Sequence, residues 1–295
     1  MIAFNKKTIQ LSNEEYAYLD IGQGEPIILV HGNMSSSVHY MPLIERLQGE
    51  YRCVAPDLRG FGDSSYNHEF SSMKELAEDL YEFMQAIKIE RARFVCWSAG
   101  CPVTLQLASE HPEAVEAIFA IEGGSCHGYP IYKKNKEFIS VYGSAYNSKA
   151  EMAADPVQVA PMLNILASKS AAAMTAVWDS VIYTVNKPEK ADNEVYINET
   201  LKQRCLLDLD WALANVNMFD KQNAYSAGDN SIAKVKCPCA FTMADKDLSV
   251  PDWMVMENVN AIKGSKLIAY VDCGHSPLVD CPDALARDVK EFFSE

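Results

Sequence analysis

Four short, almost wholly apolar runs limit what this chain can fold into: Ile27-Ile28-Leu29-Val30, Arg93–Trp97, Ala117–Ile121 and Ala240–Ala244. A run that does not alternate has no wet face, so each reads as a strand buried on both sides. Helical patterns stand between them. Met41–Leu47 puts Leu43, Ile44 and Leu47 on one face. Ser72-Met73-Lys74-Glu75 has capping-box spacing and precedes Leu76, Leu80, Phe83, Met84 and Ile87 at helical period. Tyr51–Pro56 and Lys266–Val271 read as further strands, Trp253–Ile262 and Ala284–Phe293 as further helices. Strands alternating with helices imply an α/β fold, a mostly parallel sheet covered on both faces. Glu15–Ile21 alternates instead and reads as an antiparallel edge strand.

The rhythm breaks between Cys126 and Ser231. Met162–Trp178 and Leu201–Met218 read there as helical stretches with no strand between them. The expected organisation is a core in two parts, 1–125 and 232–295, with an inserted helical subdomain at 126–231.

Charge excludes some partners. A net charge of −14 offers no basic excess to neutralise phosphates, which argues against nucleic acid and against an anionic membrane surface. No apolar stretch approaches transmembrane length, and Met1–Gln10 lacks the apolar run of a signal peptide. The expectation is a cytoplasmic protein whose nine cysteines are reduced thiols. Cys237-Pro-Cys239 lacks a second ligand pair and a nearby histidine, so no metal site is expected there.

In parallel sheets the site lies at the carboxyl ends of the strands. His31–Met34, Ser98, Glu122, Asp245, Asp247 and His275 all fall at such ends. Ser98 sits where a strand turns through small residues into a helix, the setting of a nucleophile elbow. A serine hydroxyl needs a base to take its proton, and the base needs an acid to hold it. His275, in Cys273-Gly274-His275-Ser276-Pro277, is the candidate base; Asp247, Asp245 and Glu122 are the candidate acids.

His31-Gly32, Asp57-Leu58-Arg59-Gly60-Phe61-Gly62-Asp63-Ser64, the Ser98 elbow, Asp247 with Val250-Pro251, and Gly274-His275 occur in the order found in the α/β-hydrolase superfamily, and the chain resembles its core-plus-cap branch. The resemblance implies the α/β-hydrolase fold with a helical cap, and roles for single residues. Ser98 would be the nucleophile and His275 the general base. Asp247 would be the acid, because the family's G-x-x-D pattern maps onto Ala244-Asp245-Lys246-Asp247; Asp245 and Glu122 are the alternatives. The oxyanion donors would be the backbone N–H groups of Ala99 and Asn33, with Met34 as the alternative to Asn33. His31, Arg59 and Asp63 would order loops, and Trp97 would fill the core or, as the alternative, line the pocket. Cys96 stands where the elbow's first glycine is usual, and Cys101 where a further glycine is frequent.

The activity implied is that of a serine hydrolase cleaving a carboxylic ester through an acyl-enzyme, with no metal and no organic cofactor and with a small-molecule ester as partner. Cleavage of C–C bonds in ring-cleavage products, intracellular polyhydroxyalkanoate depolymerisation, thioester hydrolysis and lactone hydrolysis are the alternatives. Some superfamily members only hold a ligand, a reading that an intact Ser, Asp, His set opposes. Phe138, Tyr142, Met162, Trp178, Tyr183, Trp211 and Met218 either roof an apolar pocket or form the inserted segment's own core.

Overall fold

The structure is a computed structural model that describes residues 4–137 and 139–295, so Phe138 lies outside the described residues. Its first half runs β1 (Lys7–Gln10), β2 (Glu15–Ile21), β3 (Glu25–Val30), α1 (Met41–Leu47), β4 (Tyr51–Pro56), α2 (Met73–Ala86), β5 (Ala92–Trp97), α3 (Gly100–Glu110) and β6 (Val115–Ile121). Helices α4 (Lys149–Ala153), α5 (Val159–Ala167), α6 (Ala171–Val181), α7 (Lys190–Thr200) and α8 (Leu206–Asn215) follow. The chain closes with β7 (Cys239–Ala244), α9 (Asp252–Ala261), β8 (Lys266–Tyr270), α10 (Pro277–Asp280) and α11 (Pro282–Phe293).

The strands form one eight-stranded sheet in the order β1-β2-β4-β3-β5-β6-β7-β8. Pairing is parallel from β4 through β8, and antiparallel where β2 meets β1 and β4. This is the mostly parallel sheet that the apolar runs require. The edge differs from expectation. Glu15–Ile21 is the second strand, and Lys7–Gln10 covers it on the outside. That outer strand is mostly exposed and has no apolar pattern, which is why the sequence hides it.

Each face of the sheet buries its own apolar cluster. On one side Leu76, Leu80 and Phe83 of α2 pack with Val103 and Leu107 of α3 and Met254 of α9. On the other, Leu43, Ile44 and Leu47 of α1 pack with Leu285, Val289 and Phe292 of α11. Each such side chain, taken fully from water, contributes about 1.5–3 kcal/mol. The Ser72 hydroxyl accepts the Glu75 amide while the Glu75 carboxylate accepts the Ser72 amide, so α2 starts on the capping box expected.

The stretch expected as one helix from Met162 to Trp178 is two. Lys169 turns left-handed (φ 52°), and Ser170 caps α6 through the Ala173 amide. Ser168-Lys169-Ser170 carried that signal.

The register places the site. Val30 pairs with Cys96, and Cys96 with Ala120, so β3, β5 and β6 end level with one another. The His31–Met34 loop, Ser98 and Glu122 therefore emerge along one rim of the sheet.

Candidate active site

Ser98 follows β5 directly and holds a left-handed backbone, φ 54°, that side chains other than glycine rarely adopt. Local hydrogen bonds fix that turn. The Ser98 amide donates to the Ile121 carbonyl at 3.0 Å, and the Ser98 carbonyl accepts from Cys101 at 3.0 Å and Gly124 at 3.1 Å. Gly100 is indispensable to it: a Cβ there would lie 2.3 Å from the Val30 carbonyl oxygen and 2.8 Å from that of His31. Both unusual cysteines are buried. Cys96 packs with the α2–α3 cluster inside the sheet. Cys101 takes the space that Gly123 leaves, since a Cβ on Gly123 would come within 2.8 Å of the Cys101 Cβ.

Ser98 and His275 line the same cavity, of about 320 Å³, although no hydrogen bond among the described residues joins the serine hydroxyl to the ring. His275 Nδ1 lies 2.7 Å from Asp247 Oδ2. The second Asp247 oxygen accepts the Ser249 and Val250 amides at 2.6 and 3.0 Å, which fixes the carboxylate. Burial works to lower the His275 imidazole, but the charge and hydrogen bond of Asp247, with the Glu122 charge behind them, outweigh it and leave the ring above its ordinary 6.5. Burial works to raise Asp247, and His275 with the two amides pulls it below its ordinary value.

The other two candidate acids do other things. Asp245 accepts the Cys273 amide at 3.1 Å and is not hydrogen-bonded to His275. Glu122 is fully buried at φ 43°; it accepts the Thr242 hydroxyl at 2.6 Å and the Ala244 amide at 3.0 Å. Burial, against those hydrogen bonds, pushes its carboxyl up to about 7.

The Asn33 and Ala99 amides have no hydrogen-bond partner among the described residues, and both residues line the cavity. Met34 is different: its amide donates to Asn33 Oδ1 at 2.8 Å and Gln203 Oε1 at 3.1 Å. Gly32 presses against the elbow, where a Cβ would stand 2.8 Å from Ser98 Cβ. His31 Nε2 accepts the Leu58 amide at 3.0 Å, which ties two loops together, and Arg59 clamps Asp79 through two bonds of 2.7 Å.

Trp97 takes both of its expected places: it is buried and lines the cavity, and its Nε1 donates to the His275 carbonyl at 2.8 Å. Of the aromatic and methionine residues expected to roof the pocket, only Trp178 reaches this cavity among the described residues. Tyr183 and Met218 are buried in core clusters, and Tyr142 is 91% exposed. The rest of the upper wall comes from residues the sequence did not single out: Tyr129, Ile131, Lys134, Val181, Ile182, Asp210 and Leu213. His39 was likewise missed. It is buried, stacked on Trp178 and Tyr196 with ring centres 5.1 and 5.0 Å away, and burial holds it neutral by pushing its pKa down to about 3.

One group of carboxylates has the geometry of a cation site. Asp57, Asp63 and Glu199 converge within 4.8 Å of one another. The ammonium of Lys6 already sits among them, at 2.7, 2.9 and 2.6 Å respectively. Asp57 also accepts the Ser37 amide at 2.9 Å, so the clasp holds the loop that follows Asn33 and Met34.

The chain is similar to proteins of known activity. The chain is 25% identical over 291 residues to Lipase 1 of Psychrobacter immobilis, covering 96% of this chain and 82% of that one. It is 26% identical over 134 residues to cis-3-alkyl-4-alkyloxetan-2-one decarboxylase of Shewanella oneidensis, a match spanning 43% of this chain and only 41% of the relative. The esterase EaEST of Exiguobacterium antarcticum superposes with a TM-score of 0.75 at 16% identity, over 98% of this chain and 99% of that one, which shows a shared fold. The sequence profile of the alpha/beta hydrolase family matches residues 27–288, and the chain belongs to that family.

Proposed function

We propose that this hydrolase cleaves carboxylic esters, with Ser98 as nucleophile, His275 as general base and Asp247 as the acid that orients it. The observation that carries this reading is the strained elbow of Ser98 in one cavity with His275, whose other ring nitrogen is held by Asp247. Ser98 Oγ adds to the ester carbonyl carbon while His275 Nε2 takes its proton. The bond to Asp247 leaves Nε2 unprotonated beforehand and stabilises the imidazolium afterwards. The carbonyl oxygen, now an oxyanion, is received by the Asn33 and Ala99 amides, with the N-terminal end of α3 adding its positive dipole. The imidazolium gives its proton to the departing alkoxide, and an acyl-Ser98 ester remains. Water, activated by the same ring, then releases the acid.

Residues 126–231 serve as the cap in this reading, because Tyr129, Ile131, Trp178, Ile182 and Leu213 supply an apolar upper wall. Similarity to a lipase over most of both chains supports ester cleavage ahead of the C–C, thioester and lactone alternatives. The test is covalent labelling with a fluorophosphonate. Wild type should gain one adduct, on Ser98, and Ser98→Ala none; wild type that stays unlabelled while folded refutes the nucleophile.

A further inference from the structure

Asp210 is a carboxylic acid in the wall of the cavity that holds Ser98, and the steps above do not use it. It stands on α8, a helix whose sequence Leu-Leu-Asp-Leu-Asp-Trp-Ala-Leu-Ala-Asn is otherwise mostly apolar. The other acid of that helix, Asp208, is fully engaged: it meets Tyr66, the Phe70 amide and the ammonium of Lys149. Asp210 has one partner among the described residues. Asn33 Nδ2 donates to its Oδ1 at 3.2 Å, and its Oδ2 has none.

The orientation of Asn33 is not free. Its Oδ1 receives both Gln203 Nε2, at 2.9 Å, and the Met34 amide, at 2.8 Å. That leaves only the Asn33 amide hydrogens to face Asp210, so the carboxyl is held by a donor with a fixed direction. No cation among the described residues pairs with it. Lys134, the other charged side chain of the upper wall, makes no ion pair among the described residues. A carboxyl so placed pays for lost water without a counterion; burial pushes it up to about 7, against the single Asn33 bond. Perturbed, half-satisfied acids in a cleft mark places where a ligand completes the set.

We propose that Asp210 is a specificity-determining residue, and that the ester this enzyme takes carries a hydrogen-bond donor, an ammonium or a hydroxyl, which Asp210 Oδ2 receives. The proposal rests on the ester-hydrolase reading of the same cavity. The rest of the wall, with Trp97, Trp178, Ile182 and Leu213, suits the alkyl part of such a substrate. Because Asn33 carries both an oxyanion amide and the bond to Asp210, the donor group would settle on the oxyanion side of the reacting carbonyl.

The test compares esters matched in heavy-atom count, with turnover read by pH indicator. On the acyl side these are methyl esters of ω-amino and ω-hydroxy alkanoic acids of four to seven carbons, each set against the unsubstituted acid one carbon longer. On the alcohol side they are butyrates of 4-aminobutanol, butane-1,4-diol and pentanol. The quantity read is kcat/KM for the donor ester over its alkyl match, which cancels any general loss in a variant. Wild type should favour a donor ester at least 10-fold at some chain length, and D210L should cut that ratio at least 10-fold. D210N should keep a hydroxyl preference and lose an ammonium one. A ratio near one at every length, or a ratio that D210L leaves unchanged, overturns the proposal while the hydrolase reading stands. A second measurement does not need turnover: calorimetric binding of butylammonium and of butan-1-ol to S98A and to S98A/D210L. If no ester is cleaved yet one of these binds at least 10-fold more weakly without Asp210, the hydrolase reading falls and the Asp210 site stands. If no ester is cleaved and neither probe binds more weakly without Asp210, both readings fall.

Discussion

Replacing Glu122 with Gln removes a proton equilibrium from the interior of the sheet. Glu122 is fully buried, and burial carries its carboxyl from an ordinary 4.5 to about 7. Below pH 4.5 the folded and unfolded chains both hold that proton. Between 4.5 and 7 the unfolded chain has released it and the folded chain still keeps it. Folding stability therefore falls as pH rises through that window, and levels above 7. At ~1.36 kcal/mol per pH unit, the proton retained across the window corresponds to about 3 kcal/mol. Gln mimics the protonated acid: its oxygen can accept the Ala244 amide while its amide group donates to the Thr242 hydroxyl. Urea unfolding of wild type and Glu122→Gln at pH 4, 5, 6, 7 and 8 measures the effect, because groups common to both cancel in the difference. The variant should gain about 3 kcal/mol on wild type between pH 4 and pH 8, a midpoint shift of roughly 1 M. A difference that stays within about 0.5 kcal/mol across the series, the spread usual for an inconsequential substitution, refutes the claim that Glu122 is held protonated by its burial.

Four further outcomes are expected. In the ester assay kcat/KM should rise with pH along a limb centred above 6.5, because the proposed mechanism needs a neutral His275 and Asp247 holds its pKa up; a limb below 6.5 contradicts that coupling. Asp247→Asn should lower kcat by roughly 10⁴ and move the same limb to lower pH, whereas Asp245→Asn should change kcat by less than about 10-fold. Gly100→Ala should cost more than about 2 kcal/mol in urea unfolding, since its methyl would meet the Val30 carbonyl at 2.3 Å. Lys6→Met should cost on the order of 3 kcal/mol in urea unfolding at pH 7, as it leaves Asp57, Asp63 and Glu199 facing one another.

What could be read from the chain tracks how locally each feature is encoded. A strand buried on both faces must be apolar throughout, so β3, β5, β6 and β7 announce themselves, and α2 does so through its capping box. The outer strand β1 escaped because its exposed side chains answer to no pattern. Ser98, Asp247 and His275 were legible as polar residues at strand ends, and a distance separates the acids: Asp247 is hydrogen-bonded to the ring and Asp245 is not. The upper wall was not legible. Asp208 and Asp210 are two residues apart on one helix and look alike in sequence. One meets a lysine brought from 59 residues away and the other meets Asn33 from 177 residues away, so only the assembled fold tells them apart.

The Lys6 clasp bears on how the molecule responds to its surroundings. Three carboxylates that close together can take up a soluble ion, and their stability would then follow the ion's concentration. Here the positive charge is bonded to the chain, so dilution or a chelator cannot carry it away. What can remove it is proteolysis near the N-terminus. A cut after Lys6 but before β1 would take the charge with the first few residues while sparing every strand, and would leave the loop behind Asn33 braced by mutually repelling acids. The far end of the chain is thus the counterweight for a loop that stands beside Ser98.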